Sequence, residues 1–225
     1  MSLLPDVEGW LTEAQAAHLD RCARAVRSGG RVVEIGSFRG RSTIVLARAA
    51  AAGVEVVAVD PHLGSDRGPQ EIAAQPQLGE RDTQIFSANL ERHGVLERVQ
   101  HVRMLSGEAP LPESIDLLYV DGAHRFGPAR DDLVRWGERV RDGGTMLVHD
   151  SFSSIGVTLA LLTAVAPARR WRYAGRSGSL AEYVADGRGG TRSALAQLAQ
   201  LPWFAYNVAL KLLTVLRIRR GPWPF

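Results

Sequence analysis

The sequence predicts an α/β domain on a mostly parallel sheet, and three observations carry that prediction. Short apolar runs alternate with stretches of helical period through residues 31–150. The runs that can be placed end in polar or acidic residues: Glu34, Asp60, Ser106, Asp121 and Asp150. Near the end, two strand-like runs (169–174 and 180–186) flank the short turn "GRSGS" and read as an antiparallel hairpin.

The elements follow in order. "LTEAQAAHLDRCARAV" (11–26) repeats apolar residues at helical spacing, with Thr12 as its N-cap. "RVVEIGS" (31–37) is a first strand, "RSTIVLARAAAAG" (41–53) a helix stopped by Gly53, and "VEVVAVD" (54–60) a second strand. This strand–helix–strand order is a βαβ unit with a right-handed crossover. Residues 61–79, rich in Gly, Pro and Gln, read as a long loop, and a loop of this length suits a lid over a site. A helix over 81–95, a strand over 99–105, a strand over 114–121, a helix over 129–144 and a strand over 144–150 complete the parallel part. A further helix over 155–166 leads to the hairpin. The main domain is placed at 1–190, and 191–225 forms an apolar, aromatic tail with a basic end.

At 225 residues, 45% of them hydrophobic and 23% charged, the chain can bury a sizeable core. Its single cysteine, Cys22, excludes an intramolecular disulfide and fits a reducing, cytoplasmic location. The N-terminal stretch has neither the basic region nor the apolar run of a signal peptide. The net charge of +3 comes almost wholly from arginines scattered among acids, since Lys211 is the only lysine. No basic stripe interleaved with aromatics marks a nucleic-acid partner.

In an open parallel sheet ligands sit beyond the C-terminal ends of the strands, which here is the acidic edge. The stretch "VVEIGSFRGRST" (32–43) is glycine-rich but departs from a dinucleotide loop. Gly36 and Gly40 permit a tight turn, and Ser42 opens the helix whose free N–H groups would favour a phosphate. Glu34, two residues before Gly36, would not help a phosphate and suits a ligand with a cationic amino end. Asp60, 24 residues after Gly36, is placed to accept ribose hydroxyls.

Taken together, "VVEIGSFRGRSTIVLA", "VAVDPH", "IDLLYVDGAH" and "GGTMLVHDSF" resemble the class I S-adenosylmethionine-dependent methyltransferases. More narrowly they resemble the metal-dependent O-methyltransferases of sugars and small hydroxylated products. The resemblance covers about residues 30–185 and implies a Rossmann-like, seven-stranded sheet with an antiparallel C-terminal hairpin. It implies Glu34, Gly36, Ser37, Gly40 and Ser42 around the methionine part of the cofactor, Asp60 on the ribose, and Ser106 and Gly107 near the adenine. Asp121 counts among these cofactor contacts and also among the ligands of a divalent metal.

Asp121 and Asp150 end neighbouring strands, so their carboxylates can converge; two carboxylates with waters suit Mg²⁺. In the resembling enzymes such a metal holds an acceptor diol and lowers the pKa of the hydroxyl to be methylated. The third ligand is open between Ser151 and His149. Catechol-type relatives carry a lysine three residues after the first metal aspartate, whereas sugar-modifying ones carry a histidine. His124 stands there, which tilts the acceptor toward a carbohydrate and offers a general base. A catechol acceptor or a non-catalytic cofactor-binding module are the competing readings. His62 follows Asp60 at the rim of the same site. The tail, with Trp203, Phe204, Tyr206 and Trp223, is expected to form an oligomer contact first. A lid on the acceptor pocket and a membrane-surface contact through "RIRR" are the alternatives.

Overall fold

The computed structural model describes residues 2–65 and 73–215. Helix α1 (Glu13–Arg24) starts at a capping box between Thr12 and Gln15. Then come β1 (Arg31–Ile35), α2 (Arg41–Ala49), β2 (Glu55–Val59), α3 (Pro76–Arg92), β3 (Val99–Val102) and β4 (Ile115–Val120). These are followed by α4 (Phe126–Arg135), β5 (Val140–Val148), α5 (Ile155–Ala160), β6 (Trp171–Ser177), β7 (Leu180–Ala185), α6 (Thr191–Leu198) and α7 (Leu201–Val215). The sheet has seven strands in the order β3-β2-β1-β4-β5-β7-β6. Strands β1 to β5 pair in parallel, while β7 runs antiparallel to β5 and β6.

Both faces are covered, as a parallel sheet requires. Alternation sends Val32, Val56, Ala58, Leu117 and Leu147 into one apolar layer with Leu19, Ile44 and Phe86. Val33, Val57, Val59, Leu118, Met146 and Val148 enter the other, with Leu133, Trp136 and Leu161. The same period of two places Glu34 with Val32, on the face that α2 covers.

Several expected boundaries shift. The third helix begins at Pro76, inside the stretch read as a loop, because proline at a first helical turn costs no hydrogen bond. Of the expected lid, residues 66–72 lie outside the described residues. The helix expected over 129–144 ends at Arg135, and β5 already begins at Val140. Gly143, at a φ of 78°, absorbs a register shift against β4 that the glycine pair had suggested as a helix stop. Over residues 191–215 the tail forms α6 and α7, while Trp223 and the arginines of "RIRR" lie outside the described residues; Pro202 falls in the first turn of α7, where it is tolerated. Helix α6 is tied to the hairpin: Ser193 Oγ accepts from Tyr173 N at 2.8 Å, and Tyr183 OH donates to Gln197 at 3.2 Å. Among the described residues, no helix is long and apolar enough to cross a membrane.

Candidate functional site

The loops at the C-terminal ends of β1, β2 and β4 enclose a cavity of about 270 Å³, near the lower end of the ~300–1,000 Å³ usual for small-molecule sites. Gly36, Asp60, His62, Ser106, His124 and Asp132 are among its walls. Among the described residues, four non-glycine residues have positive φ, Phe38, His62, Asp150 and Phe152, and all follow strand ends on this edge. Each such conformation costs ~1–3 kcal/mol and persists where surrounding contacts over-determine it.

The β1–α2 turn is built from its own acids. Asp60 accepts from the backbone N–H of Ser37 (2.9 Å) and Phe38 (2.8 Å) through Oδ2, and from His62 N (2.7 Å) through Oδ1. It therefore fixes the loops after β1 and β2 against each other while facing the cavity. Gly36 is required here: a Cβ would lie 2.2 Å from the Asp121 carbonyl oxygen, so only glycine lets the turn rest on the end of β4. Gly40 serves packing, since a Cβ there would meet Leu90 at 2.7 Å. The Ser37 hydroxyl, in the turn between β1 and α2, is buried without a hydrogen-bond partner.

Glu34 is fully buried and does not line the cavity. Its two carboxylate oxygens accept from the hydroxyls of Ser42 and Thr43, which anchors the first turn of α2 to β1. Burial pushes its pKa up to about 8, against the lowering effect of those two hydrogen bonds. The carboxyl is thus held behind the turn by strand alternation. Ser106 reaches the cavity, whereas Gly107 is exposed and lies outside its lining.

The second half of the site is formed by β4 and β5. Tyr119 OH donates to Asp121 Oδ2 at 2.8 Å, and Ser153 Oγ donates to Asp150 Oδ1 at 2.8 Å. His149 Nδ1 lies between the two acids, 3.1 Å from Asp121 Oδ1 and 3.9 Å from Asp150 Oδ2. The shorter contact is off the line of a hydrogen bond and acts as an ion pair. Burial would lower the His149 pKa, but the charge of Asp121 and then of Asp150 outweigh it and raise it to about 9. Burial likewise opposes ionisation of Asp150, yet the hydrogen bond from His124 and the charges of His149 and Lys211 hold its pKa well below the usual range. His124 Nε2 is 2.7 Å from Asp150 Oδ2, and His124 also forms part of the cavity wall. His124 is thus the hinge between cavity and acids.

Ser151, expected as a neutral metal donor, is fully buried and its hydroxyl donates to the Val148 carbonyl at 2.8 Å, because the turn after β5 folds it back under the strand. The alternative, His149, faces Asp121 and Asp150. Two carboxylates and an imidazole suit a divalent cation that accepts mixed oxygen and nitrogen ligands. Among the described residues, a tighter convergence of metal-capable groups is His18, Cys22 and Glu182, mutually within 4.8 Å. There, however, Glu182 is already paired with His18 at 2.7 Å and Arg21 at 2.8 Å.

Two cavity acids escaped the sequence reading, Asp82 and Asp132. Burial raises the Asp132 pKa to about 6, against a hydrogen bond with Ser106. The available signal was an acid at a core position of α4, one turn beyond Ala129 and next to Leu133.

A methyltransferase-domain family model matches residues 33–151, which span β1 through the turn after β5. Among solved structures, the O-methyltransferase NovP aligns with a TM-score of 0.59 at 18% identity, over 77% of this chain and 80% of its own. TomG, an O-methyltransferase of tomaymycin synthesis from Streptomyces achromogenes in complex with S-adenosylmethionine, aligns at 0.52 and 19%, over 78% and 79%. CalS11, a TDP-rhamnose 3'-O-methyltransferase of calicheamicin biosynthesis, aligns at 0.50 and 16%, over 75% and 76%.

Proposed function

Because the chain belongs to the methyltransferase-domain family, we propose that it transfers a methyl group from S-adenosylmethionine to a hydroxyl of a sugar or glycosylated metabolite. The observation that carries this reading is His124, on the cavity wall and paired with Asp150. CalS11 and NovP, an O-methyltransferase of a sugar nucleotide and an O-methyltransferase, support the choice of oxygen as acceptor atom.

When bound, S-adenosylmethionine supplies the methyl on an electrophilic sulfonium. Asp60 and Ser106 are the cavity groups for its ribose and adenine, and Gly36 for the methionine end, with the buried Ser37 hydroxyl next to it in the turn. Glu34 acts on that end indirectly, by fixing the turn through Ser42 and Thr43. Held by Asp150 at Nε2, His124 is the base that takes the acceptor's hydroxyl proton as the oxygen–carbon bond forms and the methyl–sulfur bond breaks. Asp150 orients the ring and offsets the positive charge that His124 gains. Asp121, His149 and Asp150 are the residues that would hold Mg²⁺, whose chemistry is to acidify the acceptor hydroxyl. Before it could bind, the proton on His149 must leave.

A methyl-transfer assay across nucleotide sugars, simple glycosides and catechols, with Mg²⁺ or with EDTA, tests the reading. Methylation of a sugar that His124→Ala lowers by about 10²–10⁴-fold supports it. Methylation of catechols alone sinks the carbohydrate acceptor, and cofactor binding with no product on any acceptor favours the non-catalytic module. Activity indifferent to EDTA removes the metal.

A further inference from the structure

Helix α7 packs Trp203 and Phe204 against the core, yet it keeps a second apolar face toward solvent. Ala205, Tyr206, Ala209, Leu212 and Leu213 are all exposed, with Tyr206 at 59% and Leu212 at 57%. Their spacing of three, four and seven residues places them on one solvent face without a charge. Two polar residues of the helix, Asn207 and Lys211, turn inward. Asn207 is fully buried and donates through Nδ2 to the Phe152 carbonyl at 3.0 Å. Lys211, one turn further on that same face, is in electrostatic contact with Asp150. Helix α6 adds the exposed Leu195 and Leu198. A helix that spends its amide and ammonium on the protein and offers leucine and tyrosine to solvent needs an occupant for that face.

The charge pattern selects the occupant. Beyond Asp186 the sequence carries no acidic residue, while Arg188, Arg192, Lys211, Arg217, Arg219 and Arg220 are basic. A second copy meeting this face symmetrically would set one basic stretch against another. An anionic bilayer takes apolar side chains and attracts cations together, and no described helix can span it. We propose that α6 and α7 dock the protein in-plane on an anionic lipid surface. Leu212, Leu213 and Tyr206 enter the headgroup boundary, and the basic, acid-free sequence beyond Asp186 supplies the attraction to anionic headgroups. The Asn207 and Lys211 contacts make α7 part of the wall beside Asp150, so docking would bring that edge of the site within about one helix diameter, ~10 Å, of the lipid. Docking of this kind does not depend on which acceptor is methylated.

The test is co-sedimentation of the full chain with phosphatidylcholine vesicles and with vesicles containing phosphatidylglycerol, at low and high salt. The expected result is partitioning at least about tenfold stronger onto the anionic vesicles, lost at high salt. Leu212→Glu/Leu213→Glu, at exposed positions, lowers it by about tenfold or more while melting temperature and S-adenosylmethionine affinity stay unchanged. Arg217→Gln/Arg219→Gln/Arg220→Gln lowers it by on the order of a hundredfold, about fivefold per charge. No binding to anionic vesicles, or binding that the glutamate pair leaves intact, overturns the proposal. So does a concentration-dependent dimer that the same pair dissociates in the absence of vesicle binding, which would assign the face to a second copy.

Discussion

Glu34→Gln isolates the energetic consequence of an acid buried at the heart of the site. Glu34 has a folded pKa of about 8 against 4.5 for the free side chain, because burial outweighs the hydroxyls of Ser42 and Thr43. The folded state therefore keeps a proton that the unfolded chain gives up, and stability falls as pH rises between those two values. Integrating that difference gives a loss of about 3 kcal/mol between about pH 5.5 and about pH 8 from this one group. Glutamine has the same shape, carries no charge and can still meet both hydroxyls, so the variant should lose only about 1 kcal/mol at the acid end. Urea unfolding followed by tryptophan fluorescence, with Trp136 buried in the core, measures both proteins across this range. His149, also raised, adds a slope of the same sign above about pH 6.5 in parent and variant alike, so the difference between the two curves belongs to Glu34. The curves should converge and cross toward alkaline pH, where the variant becomes the more stable. Parallel curves, or a parent that gains stability with pH, would refute the assignment of a neutral Glu34.

Three further outcomes follow from the same geometry. Gly36→Ala forces a Cβ to within 2.2 Å of the Asp121 carbonyl at a φ of 85°, so chemical denaturation should show a loss of more than about 3 kcal/mol, with weaker S-adenosylmethionine binding by calorimetry. Asp150→Asn removes the charge paired with His124 Nε2, and kcat measured in EDTA should drop by about 10²-fold or more with the cofactor Kd unchanged; an unaffected kcat would dismiss His124 as an oriented base. Asn207→Ala leaves the Phe152 carbonyl unpaired, which should cost about 1–3 kcal/mol in urea melts and lower activity by loosening the turn that carries Asp150.

The sheet was legible because its signals were redundant. The alternation of apolar runs with helical stretches, the Gly/Ser turn of the hairpin and the polar strand ends all pointed to one topology, and β1 to β7 occupy it. Boundaries failed where one residue type has two uses. Pro76 read as a loop residue but opens α3, and Gly143 read as a helix stop but sits in a bulged strand. Pro202, which seemed to interrupt the tail, lies where a helix accepts proline.

Strand ends in the sequence brought Gly36, Asp60, Ser106 and His124 to one cavity, but they did not give the directions of the side chains around it. Glu34 and Ile35 are adjacent in sequence, yet pleating sends Ile35 to the cavity and Glu34 behind α2. Nothing in the string distinguishes those outcomes without knowing which face α2 covers. His149 and Ser151 posed the same problem, resolved only by the left-handed turn at Asp150 and Phe152, which buries the serine and leaves the imidazole between two carboxylates. Helix α7 carries the point furthest. Its polar residues looked like breaks in an apolar run, but Asn207 and Lys211 are one turn apart and meet the protein, so Tyr206, Leu212 and Leu213 face outward. Periodicity finds the two faces of a helix; only the docked partner says which of them is inside.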